Sequence, residues 1–315
     1  LEIGQATAFK NYYTRREDAV NQAELVLDAG AILGEGPSWD ERKQVLYWVD
    51  VIGQKVHVYD PATNTDREIS TGQYVGSVVP CEDGGVLAAM RNGFYRLDPD
   101  SGRLDFIADP EEHLPGNRFN DGKCDAAGRF WAGTMDMSEQ RFTGALYCLD
   151  RDGTVRKVLD SVGISNGIAW SQDNRTMYYI DTMRKNVAAF DFDISTASLS
   201  NKRTVIDFTN ERGVPDGMTI DEEGMLWIAH WDGYQVSRWD PNTGRKLDSI
   251  PLPVARVTSC VFGGPNMDEL YITTARHNGI VEEYRDQPLA GGLFRVKFSN
   301  LRGAATYRYG ARLTG

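Results

Sequence analysis

Four short runs carry the side-chain oxygens best suited to chemistry: Glu35-Gly36, Asn120-Asp121, Asn166-Gly167 and Asp216-Gly217. Each opens a short segment that closes at a turn residue, Asp40, Asp125, Ser171 and Asp221 respectively. Taken singly, Asn-Gly and Asp-Gly are ordinary turn pairs. Taken as equivalent positions around one axis, they aim two carboxylates and two amides at a single small space. Such groups, with no basic partner among them, repel and strip one another of water. A bound divalent cation resolves the conflict. All-oxygen ligation without Cys or His favours a hard ion such as Ca²⁺, Mg²⁺ or Mn²⁺.

That convergence requires a repeat. Strand-like runs begin at Leu46, Val86, Phe130, Met177, Leu226 and Leu270, at intervals of 40, 44, 47, 49 and 44 residues. Each follows a turn such as Glu82-Asp83-Gly84-Gly85 or Asp125-Ala126-Ala127-Gly128. Most lead into a second alternating strand ending in Asp, and Pro61, Pro99 and Pro241 then break the chain. A period near 45 residues is the size of one four-stranded propeller blade. Six units predict an all-β, six-bladed β-propeller with a metal in its central channel. The innermost strands then present the column Glu35, Gly76, Asn120, Asn166, Asp216 and Thr258 to that channel. Residues 24–28 read as an extra strand that pairs with the last blade and leaves no bare edge. A short helical turn is expected near Asn11–Gln22. Residues 1–23 are expected to be an N-terminal extension, and 24–315 a single propeller domain.

Composition narrows the partners. The 315 residues hold 34 basic and 45 acidic side chains, a formal net charge of −11, which disfavours phosphate backbones and anionic lipid. No apolar stretch is long enough for a membrane span, and the first residues lack the apolar core of a secretory signal. The expected home is the cytoplasm and the expected state a monomer. Cys81, Cys124, Cys148 and Cys260 form no CxxC and read mainly as small buried hydrophobes. His57, His113, His230 and His277 show no metal-ligand spacing. His230 reads as a strand-end packing residue. Trp39, Trp131, Trp170 and Trp227 read as inter-blade core, whereas Tyr74 and Trp231 fall in loops at the mouth, where a sugar ring could stack.

Several runs resemble the regucalcin/gluconolactonase family, also called senescence marker protein and luciferin-regenerating enzyme-like. They are Gly34-Glu35-Gly36-Pro37, Asn117 to Lys123, Ala132-Gly133-Thr134-Met135, Ser165-Asn166-Gly167, Pro215-Asp216-Gly217-Met218, Thr258 to Gly264 and Ala290 to Phe294. The resemblance covers roughly residues 24–310, in order. It implies a six-bladed propeller with one divalent metal, and many members hydrolyse sugar lactones. It implies that Glu35, Asn166 and Asp216 are metal ligands. Arg118 and Asn120 are implied as substrate contacts, with Asn120 near the metal. It widens the choice of ion to Ca²⁺, Zn²⁺, Mn²⁺ or Mg²⁺. In one respect the chain departs from the family. Some animal members carry a sugar-contacting Glu after the Gly-Thr-Met run, and its register here falls on Ser138, with Glu139 adjacent and Asp136 two before. Ser138 and Glu139 are therefore both candidate substrate contacts.

The expected activity is metal-dependent opening of an aldonolactone such as gluconolactone. The cation polarises the carbonyl and Asp216 assists attack by water. No G-x-S-x-G elbow is present, which disfavours a serine nucleophile. Two alternatives stand beside this reading. The same cation could polarise a phosphoryl oxygen in an organophosphate triesterase, or the chain could be a non-enzymatic calcium-binding propeller.

Overall fold

A computed structural model describes residues 22–276 and 286–310. The expected helical turn near Asn11–Gln22 lies, but for Gln22, outside the described residues. The chain opens with strand β1 (Glu24–Leu27) and continues through four strands of blade one. These are β2 (Gly34–Asp40), β3 (Val45–Asp50), β4 (Lys55–Asp60) and β5 (Thr65–Ser70). Blade two holds β6 (Val75–Pro80), β7 (Val86–Met90), β8 (Gly93–Leu97) and β9 (Leu104–Ala108). Blade three holds β10 (Asn117–Cys124), β11 (Phe130–Asp136), β12 (Gly144–Leu149) and β13 (Val155–Val162). Blade four holds β14 (Ser165–Trp170), β15 (Thr176–Asp181), β16 (Asn186–Asp193) and β17 (Ser198–Asp207). Blade five holds β18 (Val214–Ile220), β19 (Leu226–Trp231), β20 (Gln235–Asp240) and β21 (Arg245–Pro251). Blade six holds β22 (Val257–Gly263), β23 (Glu269–Thr274) and β24 (Leu293–Lys297), with β1 as its outer strand.

The expected six-bladed propeller is thus the observed fold. Each blade is an antiparallel meander, because short runs separated by tight turns can pair only with their sequence neighbours. The exception closes the ring. β1 pairs with β24, Leu25 opposite Phe294, and Glu24 accepts from the Arg295 guanidinium. The expected closing strand therefore covers an edge that would otherwise stay bare.

The core is six slabs between neighbouring blades. Blades three and four share Trp131, Leu146, Ile168, Trp170 and Phe192, and blades five and six share Trp227, Ile250, Phe262, Leu270 and Phe294. Trp39, Trp131, Trp170 and Trp227 are all buried there, as expected. The four cysteines are buried and free. Two tryptophans are pinned by the turn acid of their own blade. Asp125 accepts from Trp131 Nε1 at 2.8 Å and from Arg129 Nε at 2.7 Å, and Asp221 does the same for Trp227 at 2.9 Å and Arg238 at 2.7 Å. The terminal segment 303–310 crosses the end of the channel where the inner strands finish. Glu82 donates its N–H to Tyr309 O, Arg308 reaches Asp40, and the Tyr309 hydroxyl donates to Asp150 O at 2.7 Å.

Candidate functional site

All six inner strands break register with their neighbour near the start. The irregularities fall between Glu35 and Ser38, Val75 and Ser77, Phe119 and Gly122, Ser165 and Ile168, Pro215 and Met218, and Val257 and Ser259. A bulge re-aims side chains out of the normal alternation. The column of six expected from the sequence sits within these breaks, and the neighbouring hydrogen bonds and charges knit it into one ring. Asn120 Nδ2 donates to Ser165 O at 2.8 Å and to Asn166 Oδ1 at 3.1 Å. Asn166 Nδ2 donates to Thr182 Oγ1 at 2.8 Å, which in turn donates to Pro215 O at 2.7 Å, beside Asp216. Thr258 Oγ1 donates to Gly34 O at 2.6 Å, so this hydroxyl joins blade six to blade one. Gly76 has no side chain to offer. A Cβ there would lie 2.4 Å from Asn120 O and 2.5 Å from Phe119 O, so its absence lets two inner strands approach.

The electrostatics are severe. Glu35, Asp216 and Asp121 are all buried. Burial, then the charge of Asp121, pushes the Glu35 carboxyl up to about 8, although the Gly36 N–H donates to it at 3.0 Å. Burial, then Glu35 and Asp121, holds Asp216 well above the usual carboxylate range. One Asp216 oxygen, Oδ1, is buried and has no hydrogen-bond partner. A buried carboxylate oxygen without a donor is costly unless a proton or a cation meets it. The residues present therefore suit a hard divalent cation, as the oxygen-rich column suggested.

One expectation needs correction. The column was read as lacking a basic partner, but Arg118 is buried beside it. Its Nη1 donates to Asn120 Oδ1 at 2.7 Å and Phe119 O at 3.0 Å, and its charge acts on both Glu35 and Asp216. Arg118 lies two residues before Asn120 on the same strand, and its side chain turns forward along that strand into the ring. Asp121 and Lys123, neither of them among the expected ligands or substrate contacts, are also part of this cluster. Asp121 Oδ1 accepts from Gly122 N at 2.7 Å, and Lys123 Nζ donates to Met218 O at 2.6 Å. The signal for Asp121 was present. Glu35, Asn166 and Asp216 are each followed directly by Gly, whereas Asn120 is followed by an acid.

Of the two loop candidates, Ser138 spends its hydroxyl on Asp136 in a turn that Arg141 also clamps. Exposed Glu139 is the one whose charge acts on Arg118 and Asp216. Tyr74 also influences Arg118, while Trp231 stacks under Arg256. His230 is buried against Phe208 with Nε2 2.6 Å from Ser237 Oγ, a packing residue as expected. His277 lies outside the described residues.

The SMP-30/Gluconolactonase/LRE-like region profile matches residues 33–276, which span all six inner strands and every residue of this ring. The chain belongs to that family. Regucalcin of Xenopus laevis is 40% identical over 288 residues, covering 90% of this chain and 96% of that protein. A Bacillus subtilis protein provisionally named a sugar lactone lactonase is 39% identical, covering 87% and 94%. Among solved structures, a luciferin-regenerating enzyme superposes with TM-score 0.86 at 33% identity, covering 91% of this chain and 99% of its own. A calcium-binding regucalcin of Agrobacterium tumefaciens does so with TM-score 0.86 at 27% identity, covering 90% and 96%. Among the described residues no helix is long and apolar enough to cross a membrane.

Proposed function

We propose that this member of the SMP-30/gluconolactonase family is a divalent-metal-dependent hydrolase that opens a sugar lactone of the aldonolactone class. The observation that carries the reading is the orphaned, buried Oδ1 of Asp216 in a cluster with Glu35 and Asp121. Glu35, Asn166 and Asp216 would hold one cation, with Asn120 beside it. When bound, that cation supplies Lewis acidity toward the lactone carbonyl. Asp216 takes the proton from water as its oxygen bonds to the carbonyl carbon. The ring C–O bond then breaks, the ring oxygen takes that proton from Asp216 and leaves as a hydroxyl, and an open-chain acid results. Arg118, a fixed fork of donors, orients the sugar or its developing charge. Glu139 is the loop group best placed to accept from sugar hydroxyls, and Ser138 is the weaker candidate because Asp136 holds it. Four buried free thiols suit a reducing compartment and support a cytoplasmic home.

The test strips the protein with chelator and follows δ-gluconolactone opening by pH indicator, with Ca²⁺, Zn²⁺, Mn²⁺ and Mg²⁺ added back. Wild type should recover turnover with at least one ion. Asp216→Ala should lose at least about a hundredfold in kcat/KM, the scale of a missing general base. Ion binding without turnover on a lactone panel would sink the lactonase reading and favour a calcium-binding role.

A further inference from the structure

We propose a second cation site on the outer half of blade one, formed by His57, Asp66 and Glu68 and suited to zinc or a similar borderline divalent ion. β4 and β5 run antiparallel with His57 opposite Glu68 and Tyr59 opposite Asp66. The period of two in a strand therefore puts His57, Asp66 and Glu68 on one face of the blade. Their ligand atoms all lie within 4.8 Å of one another. His57 is buried and lies flat on the Trp48 ring, with centroids 3.9 Å apart and planes 19° apart. That stacking fixes the imidazole edge, whose Nδ1 is 2.6 Å from Asp66 Oδ2.

A second observation points to a ligand. The Asp66 side chain is only 10% exposed, and its Oδ1 is buried with no hydrogen-bond partner. A buried carboxylate oxygen left without a donor invites a cation as surely as it does in the channel. Glu68 is half-exposed and gives an ion a way in. Its present partner is the Lys55 ammonium, an exposed pair in which little is lost when the ammonium swings aside.

The donor set separates this site from the channel. One imidazole nitrogen and two carboxylates match the ligands zinc takes in four-coordinate sites, with water in the remaining position. Calcium needs six to eight oxygens and finds too few here. A neutral imidazole, its one proton carried on Nε2 so that Nδ1 is free to ligate, and two carboxylates also cancel the charge of a divalent ion. The site lies beside the seam of the ring. Trp48 belongs to the same apolar cluster as Val26, Leu27 and Ala29 of the closing segment. An ion here would clasp β4 to β5 next to that seam.

The experiment counts zinc per chain by metal analysis after equilibrium dialysis, on wild type, Glu68→Gln, Asp66→Asn and Asp216→Asn. Glu68 is a surface side chain, so Glu68→Gln keeps the fold, which a thermal melt confirms. The expected result is an equivalent of zinc that survives Asp216→Asn and weakens at least tenfold in Glu68→Gln or Asp66→Asn. Co²⁺ should quench Trp48 fluorescence in wild type and much less in Glu68→Gln. The proposal is overturned if all zinc is lost in Asp216→Asn, or if zinc binding is unchanged by both Glu68→Gln and Asp66→Asn. Because the channel site is scored separately by Asp216→Asn, failure of the lactonase reading leaves this test intact.

Discussion

Three buried acids share the channel, and on the proposed reading a proton and a cation compete for them. The Glu35 carboxyl ordinarily titrates at 4.5 and here at about 8, chiefly through burial. Between those values the folded, metal-free chain holds a proton that the unfolded chain has released. Stability must therefore fall as pH rises across that window. Asp216 and Asp121, both raised, act in the same direction. Melting temperature in chelator should thus drop from pH 5 to pH 8, and a rise would refute the electrostatic account. Saturating metal should reverse the trend, since each proton displaced makes affinity climb about tenfold per pH unit. Asp121→Asn removes one of the charges that raise Glu35. Its metal-affinity profile should shift to lower pH, and calorimetry at pH 6 and 8 would show whether the gap between the two narrows.

At the scale of the strand, the bulge is the functional device. A regular β2, β10, β14 or β18 would send successive side chains to opposite faces of its blade. The register breaks instead turn Glu35, Asn120, Asn166 and Asp216 toward one axis. Gly76 serves the same end by letting β6 approach β10. Gly76→Ala would place a methyl against the carbonyls of Phe119 and Asn120. Overpacking of this kind costs about 1–3 kcal/mol, and here it also pushes the strand that carries Arg118 and Asn120. Chemical denaturation should report that loss, and lactone turnover should fall more than stability alone explains. Unchanged turnover in a destabilised variant would mean that the two strands move independently.

The whole molecule is a ring held at two places where chain ends meet it. We propose that residues 24–315 fold as one unit, with β1 as its clasp. A chain beginning after Leu27 leaves the β24 edge unpaired, so it should melt lower and aggregate, as bare edges do. A chain beginning at Ala23 should do neither, and light scattering during a melt separates the outcomes. The second place is the strap at 303–310, on the face opposite the candidate site. It roofs a cavity of about 340 Å³ into which Lys123, Thr219 and Phe262 face. Tyr309 of the strap is fully buried in the apolar cluster between blades two and three. Tyr309→Ala should cost about 3–5 kcal/mol, the range for a large aromatic removed from a core, with the affinity of the channel for metal unchanged.

Much of this was legible in the sequence, because a repeat writes its period and its turns into the chain. The spacing of Leu46, Val86, Phe130, Met177, Leu226 and Leu270 determined six blades, and the short segment before Glu35 determined how the ring closes. The column of Glu35, Asn120, Asn166 and Asp216 was readable for the same reason, since equivalent positions in a repeat become neighbours around its axis. What the sequence could not carry was anything set by rotamer, turn geometry or hairpin register. The side chain of Arg118 turns forward to Asn120, the hydroxyl of Ser138 turns away to Asp136, and His57 meets Asp66 and Glu68 only through hairpin register. Bulge position, rotamer and burial decide those contacts, and each depends on packing against residues far away in the chain. The same packing sets the charge states of Glu35 and Asp216, because desolvation is a property of the closed ring and not of any one strand.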